Sequence, residues 1–257
     1  MPDAPAWSDD LLTDPHQQSD KQRRVRDMFA AIAPSYDLNN RLHSFWRDQA
    51  WRRAAVKLAC IKPTDTVVDV ACGTGDLTLA FADAQPQGVL GIDYTFEMLP
   101  LANSKSTGTP ATYVNGDAQR LPLPDACCDV VSIAFGIRNV QNLDAALREF
   151  YRVLRPGGRV IVLEFSEPTN PLLRAFNRFY TRRVMPHTAT WISRDKSGAY
   201  RYLPKSVETF LSRDQMTTHL ADAGFGNLTQ KPMTFGVCVA YRGEKPGPLS
   251  RVRTGEG

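Results

Sequence analysis

Apolar residues occur along the chain in two alternating patterns. Short runs rich in β-branched residues are typical of buried strands, and the chain contains TVVDVA (66–71), VLGID (89–93), ATYVNGD (111–117), DVVSIAF (129–135) and RVIVLEF (159–165). Amphipathic helical patterns lie between them, including residues 75–84 and residues 143–154, the second of which is closed by RPGG. This alternation predicts a parallel sheet with right-handed crossovers and helices on both faces.

Two amphipathic segments precede the first predicted strand. One begins at Lys21, and the other covers residues 45–58. Their apolar positions recur at helical spacing. We therefore expect an N-terminal helical lid over residues 21–60.

The alternation breaks after Ser166. An insert rich in aromatic residues and arginine, residues 167–210, comes before a predicted helix at 213–223. The segments LTQKPMTF and GVCVAYRG then predict a closing hairpin. We expect a mostly parallel seven-stranded sheet in one domain, residues 21–243, with an α-helical insert after the fifth strand.

Composition guides the interpretation of the two ends and of the cysteines. Residues 1–20 contain three prolines and five aspartates, so we expect a disordered tail there and a flexible tail at 244–257. The amino terminus does not resemble a signal peptide, and no apolar run approaches the length of a membrane span. Five cysteines without a paired CxxC arrangement predict no disulfide framework and no metal site, which fits a cytoplasmic location.

Positive charge is concentrated in one part of the chain. The formal net charge is +4, but the stretch from Asn170 to Lys205 has eight basic residues against Asp195 alone. That stretch carries +7, which leaves about −3 for the remainder by subtraction. Such a run marks either a binding surface or a solvated helical face, and charge alone favours the solvated face.

The glycine loop DVACGTGDLT, residues 69–78, is the first candidate for ligand binding. Gly73 and Gly75 follow the first strand, so a ligand can approach the backbone, and the next helix offers its unpaired amide groups. A dinucleotide-binding loop has a third glycine where this chain has Thr78, and a phosphate-binding P-loop has a lysine that is missing here. Both phosphate interpretations are therefore weakened.

Carboxylates after the next two strands narrow the choice of ligand. Asp93 ends the second strand, where an acidic side chain can accept hydrogen bonds from both hydroxyls of an adenosine ribose, as in NAD and in S-adenosylmethionine. Asp117 follows the third strand, where it can accept from the exocyclic amine of adenine while Ala118 supplies a backbone amide. The set fits an adenosyl group without a pyrophosphate, with Asp69 near its amino group and Thr78 near its carboxylate.

Each of these residues also has a purely structural interpretation. The glycines can form a tight strand-to-helix turn, Asp69 can cap a helix, and Asp93 and Asp117 can be turn residues at strand ends. A lone GxG is a weak signal. The ordered combination of loop glycines with two strand-end carboxylates favours ligand binding.

Longer stretches resemble the ubiquinone/menaquinone biosynthesis C-methyltransferase family, from about Val25 to Gly243. The matching stretches are MFAAIAPSYDLNNRLHSFWRDQAWRR, FGIRNV, RVLRPGGRVIVLEFS and YRYLPKSVETF, of which the second and third are the most specific. Two positions depart from the family pattern. Ala134 stands where a serine often precedes FG, so a hydroxyl contact there is either absent or supplied by Ser132. Asn39 stands where an apolar residue is usual in YDxxN.

The resemblance implies a Rossmann-like class I methyltransferase fold and S-adenosylmethionine as the cofactor, contacted by Thr78, Asp93, Asp117 and Ala118. It implies methyl transfer to a ring carbon of a polyprenylated quinol, with S-adenosylhomocysteine as the other product. Demethylmenaquinol is the expected acceptor, and the benzoquinol of the ubiquinone pathway is a second one. Two alternatives stay open: a methyltransferase of the same fold acting on a small soluble metabolite, and a non-catalytic nucleotide-binding partner protein.

Methylation of a ring carbon requires negative charge on the neighbouring quinol oxygen. Arginine is permanently charged and is a poor general base, so we assign Arg138 to lowering the pKa of the quinol, directly or through water, and Asn139 to orienting the same oxygen. Candidates for the proton acceptor are Tyr36, Asp37 and His43 in the N-terminal motif. Their structural alternatives are a helix terminus for the first two and a satisfied surface histidine for the third.

A polyprenyl quinol resides in a bilayer, which gives the insert a candidate role. Its arginines, with Phe176, Phe179, Tyr180 and Trp191 on the other side, would suit peripheral contact with the anionic inner face of the cell membrane. The alternative is that these aromatic residues form the core of a cap. We expect no nucleic-acid partner, because FGIRN stands where a nucleic-acid methyltransferase would have an NPPY-like motif, and a homodimer stays open.

Overall fold

The computed structural model describes residues 6–8, 10–185, 188 and 198–247. At its centre is one seven-stranded sheet in the order β3-β2-β1-β4-β5-β7-β6. The strands are β1 (Thr66–Val70), β2 (Gly88–Asp93), β3 (Ala111–Asn115), β4 (Cys128–Ala134), β5 (Leu154–Phe165), β6 (Gly226–Met233) and β7 (Cys238–Glu244). The first five strands pair in parallel, whereas β7 is antiparallel to both β5 and β6. The predicted sheet with a closing hairpin is confirmed.

Nine helices are described around this sheet, within the part of the chain stated above. They are α1 (Lys21–Ile32), α2 (Tyr36–His43), α3 (Arg47–Ala59), α4 (Asp76–Ala82), α5 (Leu99–Lys105), α6 (Leu143–Val153), α7 (Pro171–Phe179), α8 (Ala199–Glu208) and α9 (Arg213–Asp222). A π-helical turn, Tyr180–Val184, continues directly from α7. None of the helices formed by the described residues is both long enough and apolar enough to cross a membrane.

The strands read as continuous apolar runs because the sheet is covered on both faces. In β1, Val68 and Val70 belong to a buried cluster with side chains of α6 and α9. Val67 points to the opposite face and packs in a second cluster with side chains of α3 and α4. Burial on both faces holds the strands in register and directs their carboxyl ends to a common edge of the sheet.

The structure differs from the sequence prediction at the start of β5. The strand begins at Leu154 rather than at Arg159, and a register shift against β4 accommodates the additional residues. RPGG therefore lies within the irregular first part of the strand. A helix end and a strand start are hard to separate there, because a glycine pair is compatible with both.

The N-terminal segment is packed where it is described, although we expected residues 1–20 to be disordered. Trp7 is fully buried and its ring stacks on Tyr202 at 4.3 Å between centroids. Leu12 is buried in the same cluster, which joins this segment to α1 and α8. A few large apolar side chains suffice to offset the ordering entropy, even though they show no periodicity. Residues 1–5 and 9, and the expected tail from 248 onward, lie outside the described residues.

The predicted helical insert is described as α7, the π-helical turn and α8. α7 has no buried residue, whereas α8 buries Tyr202 and Ser206. Trp191, Arg194 and Lys196, on which part of the expected membrane contact rested, lie outside the described residues.

Candidate active site

A first cavity lies at the carboxyl ends of β1, β2 and β4. It encloses about 730 Å³ including its open mouth. The strand order reverses on the two sides of β1, and ligands of open α/β sheets bind at such a reversal. Six of the predicted site residues line this cavity: Tyr36, Gly73, Asp93, Asp117, Ala118 and Asn139.

The two loop glycines have different roles. Gly73 has a φ of +55° and lines the cavity, where an added Cβ would lie 3.9 Å from the ring of Tyr36. Gly75 has a φ of +84°, and a Cβ there would come within 2.6 Å of the Tyr113 hydroxyl. The first glycine therefore leaves backbone open to a ligand, whereas the second permits close packing of the loop on β3.

Asp93 is held by the loop that it faces. One carboxylate oxygen accepts the Gly73 amide at 2.7 Å, and the other accepts the Thr95 amide at 2.7 Å. Burial raises the pKa of this carboxyl above its usual range. A carboxylate can accept about four hydrogen bonds, so Asp93 keeps acceptor capacity for a group in the cavity that it lines.

Asp117 is contacted by the first helix. The Gln22 side-chain amide donates to one carboxylate oxygen at 2.6 Å, and the Gln119 backbone amide donates to the other at 2.9 Å. Gln22 also lines the cavity. Sequence reasoning missed Gln22, and no motif marks it, because it approaches the site from a helix far away in the chain.

Asp69 and Thr78 lie beneath the first cavity and do not line it. The Thr78 hydroxyl donates to one oxygen of Asp69 at 2.7 Å, and the Ser132 hydroxyl donates to the other at 2.7 Å. Burial raises the pKa of Asp69 to about 6. These contacts differ from the expected direct contacts with a ligand, and they also show that Ser132 does not replace the missing hydroxyl at Ala134, which itself lines the cavity.

A second cavity, of about 1170 Å³ including its open mouth, opens next to the first. Its walls come from α2, α3, α7, the π-helical turn, α8 and the end of β5. Tyr36 and Phe135 line both cavities, so the two spaces meet at these side chains. Phe135 has a φ of +56°, a strained conformation for a bulky residue and one that is found at functional sites.

Arg138 lines the second cavity as one half of a buried ion pair. Its Nη1 lies 2.6 Å from a carboxylate oxygen of Glu164 and also donates to the Phe135 carbonyl at 2.7 Å. Burial raises the pKa of Glu164, and the arginine partly opposes that rise. Glu164 was not singled out from the sequence, although it belongs to the LEFS run of the family.

Asn139 lines the first cavity rather than the second. Its side chain accepts from the Tyr202 hydroxyl at 2.9 Å and donates to the Phe135 carbonyl at 3.3 Å. The amide therefore holds Phe135 at the junction of the cavities, instead of facing the same space as Arg138.

The three candidates for proton acceptor are spread along α2. Burial raises the pKa of Tyr36 at the junction of the two cavities. Asp37 accepts hydrogen bonds from Lys105 at 2.7 Å and from Thr74, and these bonds fix α2 to the glycine loop. His43 lines the second cavity and contacts the Tyr180 hydroxyl at 3.3 Å. Seven residues of helix place it about 10 Å along the axis from Tyr36.

The side chains that line the first cavity fit a nucleoside with a positively charged centre. Asp93 and Asp117 present acceptors, and apolar residues such as Val25 and Met98 provide a surface for an aromatic base. Arg26 is the one basic residue among the described residues of the lining, and it pairs with Asp27. The cavity therefore does not suit a pyrophosphate. Across the described ranges, no three His, Cys, Asp or Glu side chains are grouped so as to hold a metal ion.

Comparison with solved structures gives the class of fold. A SAM-dependent methyltransferase from Thermotoga maritima, a possible histamine N-methyltransferase, superposes with a TM-score of 0.59. The match covers 85% of this chain and 98% of the other at 19% sequence identity. The protein thus has the class I methyltransferase fold, with its first cavity at the strand reversal.

Comparison with sequences gives the family. The model of the ubiE/COQ5 methyltransferase family matches residues 17–245, so the chain belongs to this family. It is 44% identical over 222 residues to a demethylmenaquinone methyltransferase of Thermus thermophilus, covering 85% of this chain and all of that protein. It is 43% identical to the ubiquinone/menaquinone biosynthesis C-methyltransferase UbiE of Syntrophotalea carbinolica, covering 85% of this chain and 93% of that protein. The predicted family is confirmed.

Proposed function

We propose that this protein is an S-adenosylmethionine-dependent C-methyltransferase that methylates a ring carbon of a polyprenylated quinol, with demethylmenaquinol as the main acceptor. The observation that carries the proposal is the meeting of two chemically different cavities at Tyr36 and Phe135. The names of the relatives point to the same reaction.

The first cavity is the proposed site of S-adenosylmethionine, which supplies a sulfonium methyl group. Asp93 accepts from the ribose hydroxyls, Asp117 accepts from the exocyclic amine, and the Ala118 amide contacts the adenine ring. Gly73 leaves room for close approach, and the Tyr36 ring covers that part of the loop. Asp69, Gly75 and Thr78 support the loop from below rather than contact the cofactor.

The second cavity is the proposed site of the quinol ring. Arg138 stabilises negative charge on a ring oxygen, which moves electron density onto the carbon that receives the methyl group. Glu164 keeps the guanidinium in place, and Asn139 keeps Phe135 in place. Overall the ring carbon exchanges one hydrogen for a methyl group, and one proton is released. Tyr36 and Phe135 align the two reactants and exclude water between them.

A small soluble metabolite is a less suitable acceptor for this site. The exposed walls of the second cavity are largely apolar, with Trp51, Phe165 and Val207 among them. A small polar molecule would leave most of this surface without a partner. Peripheral contact with the membrane belongs to the same proposal, because the tail of a polyprenyl quinol resides in a bilayer.

The proposal is tested by incubating the protein with methyl-labelled S-adenosylmethionine and one reduced quinone at a time. We expect label in the demethylnaphthoquinol. The rate with the corresponding benzoquinol measures how well the same site accepts the smaller ring. Label in neither quinol, together with label in a soluble phenolic metabolite, would overturn the proposal.

A blocking variant assigns the second cavity to the acceptor. Val207 lines the second cavity but not the first. Val207→Trp should therefore fill the second cavity and reduce quinol methylation more than tenfold. The affinity for S-adenosylmethionine should stay unchanged. The matched control is Val114→Trp, on the edge strand β3 outside both cavities, which should retain full activity. Normal methylation by Val207→Trp would place the acceptor elsewhere.

A further inference from the structure

Large apolar side chains are exposed on one part of the surface. Leu172 (82%), Phe176 (70%) and Phe179 (61%) lie on one face of α7, at spacings of four and three residues. Phe45 (71%) and Trp46 (59%) form the turn between α2 and α3. We call these five residues the apolar rim.

The apolar rim borders the mouth of the second cavity. The Phe45 ring lies 5.8 Å from the ring of Tyr180, which lines that cavity. Ser44, next to Phe45, and Asn177, next to Phe176, line it as well. The exposed side chains are thus continuous with the entrance of the proposed quinol site.

The conformation of the turn keeps its two aromatic side chains in solvent. Phe45 and Trp46 have φ values of +52° and +60°, a conformation that bulky residues rarely adopt. Contiguous apolar surface is uncommon on soluble proteins and marks an interaction site. We therefore expect the apolar rim to bind an apolar partner.

The charges around the rim restrict what this partner is. Residues 170–185 include Arg174, Arg178, Arg182 and Arg183 and no acidic residue, a charge of +4. Glu167 and Glu208 pair with two of these arginines, so part of the charge is compensated locally. Apolar side chains interspersed with arginines match the interface of an anionic bilayer. A second copy of the chain would bring the same positive charges together.

We propose that the apolar rim docks on an anionic lipid bilayer, so that the second cavity opens toward the acyl chains. The aromatic rings enter the headgroup region, the arginines contact lipid phosphates, and a polyprenyl quinol passes from the bilayer into the cavity without crossing water. The identity of the quinol rests on the proposed function, but the docking surface does not.

The first test is flotation of the protein with vesicles of phosphatidylglycerol and phosphatidylcholine in equal parts. We expect the wild type to float with these vesicles and to dissociate from them at high salt. It should not bind vesicles of phosphatidylcholine alone. The variant Phe176→Ser/Phe179→Ser changes two exposed residues, and we expect its binding to fall about tenfold or more. The matched control is Phe96→Ser, a phenylalanine that is 63% exposed after β2 and is not part of the apolar rim, and this variant should bind like the wild type.

Fluorescence locates the contact on the rim. Trp7 and Trp51 are buried, whereas Trp46 is exposed. The fourth tryptophan, Trp191, is replaced by phenylalanine in the protein used for this measurement, so that the signal comes from Trp46. We expect its emission to shift to shorter wavelength with anionic vesicles, and Trp46→Phe should lose this shift. Vesicle binding without the shift, equal binding by the Phe176→Ser/Phe179→Ser variant, or a dimer of the wild type that this variant loses would each overturn the docking proposal.

Two activity assays separate this proposal from the proposed function. With a long-tailed quinol in anionic vesicles, the Phe176→Ser/Phe179→Ser variant should be about tenfold slower than the wild type, in proportion to its lost binding. With a short-tailed quinol dispersed in buffer, both proteins should turn over equally. If the wild type methylates neither quinol, the proposed function fails while the vesicle result still decides the docking. Equal rates in vesicles would contradict the docking alone.

Discussion

Asp93 is the side chain that contributes most directly to cofactor affinity in the proposed site. Its carboxylate is fixed by the Gly73 and Thr95 amides and keeps acceptor capacity for a group in the first cavity. We predict that Asp93→Ala weakens the binding of S-adenosylmethionine roughly 10- to 100-fold, because hydrogen bonds to a charged group contribute about 1.5–3 kcal/mol. Calorimetry measures this change. Asp222→Ala, an exposed aspartate on α9, is the control, and unchanged affinity in Asp93→Ala would show that the ribose is bound elsewhere.

The raised pKa of Asp69 predicts that the stability of the protein depends on pH in a specific way. Burial raises its pKa from 3.8 to about 6, so between these values the folded chain holds a proton that the unfolded chain has lost. The free energy of unfolding therefore decreases as pH rises through this window. We predict that Asp69→Asn removes about 3 kcal/mol of this decrease, since one pKa unit corresponds to 1.36 kcal/mol.

Urea unfolding at several values between about pH 4 and pH 7 tests this slope. The exposed Asp222→Asn variant should keep the slope of the wild type. If Asp69→Asn keeps it as well, Asp69 is already ionised when buried.

The same two aspartates show how far residue type alone predicts a site. Gly73, Asp93, Asp117 and Ala118 line the first cavity, because residues at the ends of neighbouring parallel strands meet at one edge of the sheet. Asp69 was expected to face the ligand for the same reason. Its partners are instead two hydroxyls, one from Thr78 at the end of the same glycine loop and one from Ser132 on β4, and the loop sequence does not reveal this arrangement.

At the scale of elements, the pair Arg138–Glu164 joins the loop after β4 to β5. Removing only the arginine side chain leaves the buried Glu164 carboxylate without its charged partner, so we predict that Arg138→Met lowers the free energy of unfolding by about 3–5 kcal/mol. Its affinity for S-adenosylmethionine should change little, because Arg138 lines the second cavity.

The double variant Arg138→Met/Glu164→Gln separates stability from chemistry. Chemical unfolding should show that it regains most of the lost stability, while turnover stays at the low level of Arg138→Met. Full turnover in the double variant would remove Arg138 from the mechanism.

The boundaries of helices and strands were predictable where whole elements are buried. They were not predictable where a single side-chain contact orders a segment. The strands β1, β2 and β4 follow from apolar runs, since both faces of the sheet are covered. The packing of Trp7 on Tyr202 has no periodic signal, yet it fixes the hydroxyl that holds Asn139. Sequence patterns therefore gave the framework of the site but missed the segment that supports it from outside.

At the scale of the whole molecule, the order of strands brings two cavities of different character together. The strand reversal beside β1 creates the first cavity, and the N-terminal helices and the insert enclose the second. The amphipathic patterns before the first strand and the break in alternation after Ser166 predicted these helical additions. The depth and the opening of the second cavity depend on tertiary packing of distant segments, so they could not be predicted.

The most direct measurement is a crystal structure of the protein with S-adenosylhomocysteine. We predict that the ribose hydroxyls lie within hydrogen-bond distance of Asp93, that adenine lies beside Asp117, and that the sulfur points between Tyr36 and Phe135 toward the second cavity. A nucleoside bound away from Asp93 and Asp117, or a sulfur directed away from that junction, would contradict the assignment of both cavities.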